Sequence, residues 1–428
     1  MTDFSQHAPL AMATGFAACL IASLVLKFWL ASRQVRHVAK HRGAVPAAFA
    51  SNISLADHQK AADYTIAQVR LGMLETAWSC ALTLCWTLLG ALSLLNQTLA
   101  HWLTAPLVQQ VAVIMAFLVI GTVLDLPFDL YRTFVLEQRF GFNKTSLSLW
   151  LQDLGKSAIL ALLLGTPIAA LIVWMMGATG AWWWLWTWGA WMAINLLLML
   201  VYPTWIAPWF NQFRPLDDEQ LRLRVAQLME KSGFRSSGIY VMDGSRRSAH
   251  ANAYFTGLGR SKRVVFYDTL LKQLTAPETD AVLAHELGHF VRKHVVKRLL
   301  SLFAFSLAGF ALLGWLGQQV WFYVGMGVWP NAQIANDALA LLLFMMLLPT
   351  VTVFFSPLLA SISRKHEFEA DAHAKALTSG RALAAALLKL HVDNASTLTP
   401  DPVYARFYYS HPPASERMGR LVDGRVPA

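Results

Sequence analysis

His285-Glu286-Leu287-Gly288-His289 places two imidazoles and one carboxylate within five consecutive positions. On a helix, residues four apart share a face, so both imidazoles can reach a single metal ion. Glu286 lies about 100° further round the helix, where a carboxylate can take a proton from water beside that ion. The chemistry this suits is zinc-dependent hydrolysis of an amide bond. Upstream, Thr275-Ala276-Pro277-Glu278 forms a capping box with proline in the first turn, which predicts that a helix starts there and carries the motif.

Two histidines leave a catalytic zinc short of a third protein ligand. The Gly-and-His extension of metzincins is missing, because Arg292 and Val295 stand where it would require Gly and His. His294 is one place off and reads as a surface residue of the basic run 292–298. The better donor is in Glu367-Phe368-Glu369-Ala370-Asp371. Glu367 and Asp371 are four apart, so on a helix Glu367 can ligate zinc while Asp371 holds the other ring nitrogen of a ligand histidine. Glu369 is a second choice because it sits off their shared face. His366 and His373 read as exposed or structural.

These residues need a scaffold, and composition says it is a membrane. Of 428 residues, 56% are hydrophobic and only 14% charged, too apolar for an ordinary soluble chain of this length. Lys and Arg are absent from 1–26, 71–131, 157–213 and 299–363. The first gap accommodates one span and each of the others two, giving seven at about 10–30, 76–98, 106–126, 157–177, 181–203, 299–322 and 338–360. Arg33, Arg36, Lys40 and Arg42 follow the first span, and Arg132, Arg139, Lys144 and Lys156 fill the loop after the third. By the positive-inside rule the N-terminus lies outside, and both 207–297 and the segment from 362 onward face the cytoplasm.

Four parts are expected: a membrane part of five spans over 1–206, a zinc protease domain over 207–298, a transmembrane hairpin over 299–361, and a C-terminal part over 362–428 that completes the metal site. The net charge of +10 is spread over loops beside the membrane, where anionic lipid accounts for it, so no nucleic-acid partner is expected. Cys19, Cys80 and Cys85 all fall in expected spans, which argues against a disulfide framework. The first apolar segment lacks a basic leader and reads as an anchor rather than a cleaved signal.

The two motifs separated by a membrane hairpin, followed by Ser410-His411-Pro412-Pro413, resemble the type I CAAX prenyl protease family. Phe134-Val135-Leu136-Glu137-Gln138-Arg139-Phe140-Gly141-Phe142-Asn143 resembles its first cytoplasmic loop, and Tyr202-Pro203-Thr204-Trp205-Ile206-Ala207-Pro208 the entry to its protease domain. The resemblance implies a mainly α membrane protein. Seven transmembrane helices would form a hollow barrel round a water-filled chamber, capped by a cytoplasmic zincin-like α/β metalloprotease domain. It implies one Zn2+ on His285, His289 and Glu367, with Glu286 as general base, Asp371 behind a ligand, and His411 stabilising the tetrahedral intermediate. Without the family, His411 would be an exposed loop histidine. Asn252 and Ala253 resemble the start of an edge strand that pairs with the backbone of an extended substrate, although the segment equally suits an ordinary core strand. Arg417 matches a family arginine, with a salt bridge as its expected role.

The expected partners are a peptide or protein substrate, prenylated or not, and membrane lipids. A bacterial inner membrane is the expected location. The rival readings are a quality-control zinc protease acting on unprenylated membrane proteins, and a scaffold or transporter with a vestigial metal site. A scaffold has no use for Glu286.

Overall fold

The computed structural model describes residues 2–256, 261–331 and 335–422; positions 423–428 of the expected C-terminal part lie outside these. Long apolar helices dominate. They are α1 (Thr2–His41), α2 (Leu55–Trp86), α3 (Ala91–Trp102), α4 (Pro106–Tyr131), α5 (Leu147–Leu160), α6 (Thr166–Ala178) and α7 (Trp183–Val201). After a small sheet domain come α10 (His294–Leu316), α11 (Asp337–Thr352) and α12 (Ser356–Leu377).

Among the described residues, six helices are long and apolar enough to cross a membrane, and the count reaches seven when the bent pair α2 and α3 is taken as one span. The continuous span expected at 76–98 is therefore corrected: the helix breaks after Trp86 and resumes at Ala91 with a 52° bend. Gly90 turns the chain in the left-handed region at φ 80°, and Gly327 packs so closely on the break that a Cβ there would meet the Thr87 carbonyl oxygen at 2.4 Å.

The spans close on themselves. α1 packs on α2, α3 on α4, α4 on α6, α6 on α7, α7 on α10, α10 on α11, and α11 back on α1. Burial is uneven: only 6% of the most apolar stretch of Gly180–Phe210 and 11% of that of Pro106–Phe140 is buried, against 44% for Asp337–Leu377, whose α11 also packs on α4 and α6. Such helices turn broad apolar faces outward, as membrane helices do, and the sheet domain adjoins them.

The sheet domain is built from β1 (Phe213–Pro215), α8 (Glu219–Lys231), β2 (Arg235–Met242), β3 (Ala253–Thr256), β4 (Ser261–Tyr267) and α9 (Ala276–Val291). The strand order is β1-β2-β4-β3, with β2 and β4 parallel and both outer strands antiparallel to their neighbours. Alternate residues Ile239 and Val241 of β2, and Val264 and Phe266 of β4, face one side. Leu221, Val225 and Leu228 of α8 and Leu283 and Leu287 of α9 cover them at helical spacing. Each such leucine, fully buried, contributes about 1.5–3 kcal/mol. The opposite side of α9, with Ala281 and Ala284, packs on Leu383, Ala384 and Leu388 of α13 (Gly380–Asp393) and on Met418 of α14 (Ala414–Leu421). The motif helix is thus held from both sides and has little freedom to tilt.

Candidate metal centre

α9 begins as its capping box predicts, with the Thr275 backbone N–H donating to Glu278 Oε2 at 2.7 Å and Lys389 adding a second bond to the same oxygen. It carries His285, Glu286 and His289 past α12, which carries Glu367 and Asp371. The two helices approach closely because Gly288 has no side chain. A Cβ there would lie 3.0 Å from Ala370 Cα and 3.1 Å from its carbonyl oxygen.

That approach brings three donors together. His285 Nε2 and His289 Nε2 are 3.3 Å apart, His285 Nε2 lies 3.4 Å from Glu367 Oε2, and His289 Nε2 lies 3.4 Å from Glu367 Oε1. A tetrahedral zinc with bonds of about 2.05 Å has ligand-to-ligand edges of about 3.35 Å, which the edge between the two imidazoles matches, and the carboxylate faces both nitrogens with one oxygen toward each. Among the described residues, the buried Glu367 Oε2 has no hydrogen-bond partner, as suits an oxygen that binds a metal. The donor set of two imidazoles and one carboxylate also suits zinc.

Behind the triangle, Asp371 Oδ1 accepts from His285 Nδ1 at 2.9 Å, which leaves His285 Nε2 free to face the metal. Burial penalises a charged His285 ring, but the Asp371 and Glu367 carboxylates outweigh it and raise its pKa. Burial and the neighbouring His285 push His289 the other way, below the ordinary histidine range. Glu286 is half-buried, and desolvation raises its carboxyl pKa, the direction a proton acceptor and donor near neutrality needs.

His411, in the loop before α14, points Nε2 to within 3.5 Å of Glu367 Oε1 while 64% of its side chain stays accessible. An imidazole beside the triangle and open to an incoming group can donate to a developing oxyanion. Asn252 and Ala253 stand at the start of β3, the outer strand of the sheet, and among the described residues no strand pairs with its far edge. Ala253 is also buried in the core with Leu283 and Leu287, so the strand is tied to the motif helix.

Three residues do more than their spacing suggested. Arg417 of α14 is buried and makes the expected salt bridge with Asp371; its Nη1 also approaches Glu367 Oε2 at 3.7 Å. His294 is no surface residue: it is 4% exposed, and its ring faces His289. Glu369 is not among the three donors and bonds His294 instead. His366 stacks on His294, and His373 sits half-buried beside Gly288. Arg417 could not have been paired from spacing alone, because its partner lies on another helix.

Two family models together span most of the chain: "CAAX prenyl protease N-terminal, five membrane helices" matches residues 34–212, and "Peptidase family M48" matches 215–424. CAAX prenyl protease 1 of Saccharomyces cerevisiae is 35% identical over 77% of this chain and 76% of its own. A CAAX prenyl protease 1 homologue of Caenorhabditis elegans is 31% identical over 95% and 97%. A rice homologue is 37% identical over 70% of each chain. The crystal structure of Saccharomyces mikatae Ste24p superposes with a TM-score of 0.88 at 30% identity, covering 97% of this chain and 99% of that one. These relatives are fungal, animal and plant, so the expectation of a bacterial source gains no support from them.

Proposed function

We propose, from the premise that this chain belongs to the CAAX prenyl proteases of peptidase family M48, that it cleaves peptide bonds near the C-terminus of prenylated CAAX-type proteins. The chain is an integral membrane metalloendopeptidase. The observation that carries the site assignment is the donor cluster of His285, His289 and Glu367: the two Nε2 atoms are 3.3 Å apart, each is 3.4 Å from one oxygen of the carboxylate, and the buried Glu367 Oε2 has no hydrogen-bond partner among the described residues.

Zinc, when bound, polarises the scissile carbonyl and eases deprotonation of water at the site. Glu286 takes one proton from the attacking water as its oxygen bonds to the carbonyl carbon, then passes that proton to the amide nitrogen as the C–N bond breaks. His411 donates to the carbonyl oxygen while it carries charge, an interaction typically worth about 3 kcal/mol per donor. Asn252 and Ala253 begin the outer strand β3, where an extended peptide adds as another strand; the Asn252 carbonyl holds β3 to Tyr267 of β4 and its side chain accepts from the Ala253 N–H, so Asn252 sets the strand and the edge beyond it receives the peptide. Asp371 keeps His285 in the right tautomer, and Arg417 keeps Asp371 in place.

The placement of basic loops puts the N-terminus outside and the catalytic parts, 207–298 and 362–428, on the cytoplasmic side, with 1–206 and 299–361 forming the wall. A prenyl group fits this design, because a hollow walled by apolar helices suits an isoprenoid better than bulk water does.

The test is cleavage of a farnesylated CAAX peptide by detergent-purified wild type and Glu286→Gln, with zinc assayed in both. Expected are about one zinc in each and turnover reduced about 10²–10⁴-fold in the variant. A variant with near-normal turnover would remove Glu286 from the reaction. Zinc-loaded wild type that spares the farnesylated peptide would redirect the substrate search to unprenylated membrane proteins.

A further inference from the structure

His289 differs from His285 in having no carboxylate at its back. Where Asp371 meets His285 Nδ1, the Nδ1 of His289 meets instead the Nδ1 of His294 at 3.1 Å. The far nitrogen of His294, Nε2, lies 2.9 Å from Glu369 Oε2. His294 is 4% exposed, and the His366 ring stacks on it at 4.0 Å with planes 14° apart, so its orientation is fixed.

Proton accounting leaves one arrangement. A ligand histidine that turns Nε2 to a metal carries its proton on Nδ1, which must donate to His294 Nδ1. His294 then carries its own proton on Nε2 and donates it to Glu369. The chain Glu369, His294, His289 is directional and ends at the metal position, as the shorter chain Asp371, His285 does.

The backbone also serves this contact. α9 ends at Val291, α10 begins at His294, and between them Lys293 sits in the left-handed region at φ 57°, ψ 33°. For a residue with a Cβ that conformation is unfavourable and persists only where the surroundings enforce it. It folds the chain back so that a residue five places after His289 returns to it, which no continuous helix allows.

We infer that His294 and Glu369 form a positioning dyad that fixes the tautomer and angle of the ligand His289 and thereby sets metal affinity. The inference rests on the metal reading of the donor triangle. Partners of this kind typically contribute about 10–100-fold to affinity.

The test is zinc affinity of the full-length protein in detergent, by chelator competition, together with the visible absorption of the cobalt-substituted form. Glu369→Ala removes a side chain that is 31% exposed, so the fold should survive it. It should weaken zinc about 10-fold and shift the cobalt bands. His294→Leu should weaken zinc by up to about 100-fold, while His294→Gln, whose amide oxygen can still accept from His289 Nδ1–H, should recover most of the loss. Glu369→Ala with zinc affinity within twofold of wild type and unmoved cobalt bands overturns the dyad, whatever His294→Leu does to folding. Wild type that binds no zinc would instead overturn the metal reading beneath it.

Discussion

Arg417 closes a two-pronged grip on Asp371, with Nε 2.9 Å from Oδ2 and Nη2 2.6 Å from Oδ1, and both residues are buried. The same Asp371 Oδ1 meets His285 Nδ1 at 2.9 Å, so the guanidinium ultimately determines where one metal ligand stands. Arg417→Ala should leave a buried carboxylate without its cation, held by His285 alone, at a cost of up to about 3–5 kcal/mol. Arg417→Lys, which keeps the charge but loses the fork, should fall between it and wild type. Thermal unfolding of the three proteins decides the matter, and an alanine variant as stable as wild type would show that the grip is idle.

Gly288 is where the motif helix and its partner nearly touch. Gly288→Ala should cost about 1–3 kcal/mol through overpacking against the Ala370 backbone, although alanine is the better helix former. It should also lower zinc content, since Glu367 recedes with its helix. A variant whose midpoint is unchanged or raised, with full zinc, would mean that the contact relaxes freely.

Chelation should destabilise the whole protein and not merely silence it. The donors come from α9 and α12, separated in sequence by the hairpin, so a bound metal ties distant segments together. At free zinc 100 times its Kd, the stabilisation is about 2.7 kcal/mol. Equal midpoints for zinc-loaded and stripped protein would rule out a structural role for the metal.

His250 should give stability a pH dependence near neutrality. Its Nε2 lies 3.7 Å from Glu137 and its Nδ1 3.0 Å from Asn394, and Phe142 stacks on its ring. Glu137 raises the His250 pKa against the opposing effect of burial, and Asn394 adds to the rise. The folded pKa therefore exceeds the unfolded value of about 6.5. The stabilisation is complete below about pH 6.5 and disappears as pH climbs through the raised folded value. Melting midpoints of wild type and His250→Gln should differ most at pH 6 and converge toward pH 9; a constant gap would assign His250 a role in packing alone.

The membrane spans were legible because lipid leaves a coarse mark: cations vanish from long apolar stretches and gather between them. The donors were legible because helical spacing of four places side chains on one face whatever the rest of the fold does. What escaped the sequence depends on contacts between elements. Leu88 and Leu89 are as apolar as their neighbours, so the bend between α2 and α3 was hidden behind continuous hydrophobicity, with Gly90 the one local hint. His294 looked like part of a basic surface because nothing about Lys293 announces a left-handed turn. Glu369 was rightly placed off the face of Glu367, but its partner is set by that same turn.

The metal-binding helices have a history as well as a geometry. α9 leads through Lys293 directly into one limb of the hairpin, and α12 emerges from the other. During synthesis the ribosome delivers His285 and His289 well before Glu367, and the intervening chain must cross the bilayer and return before the triangle can close. The centre therefore closes only after the hairpin between its donors has folded back on itself, so assembly of the site waits on folding of the membrane part.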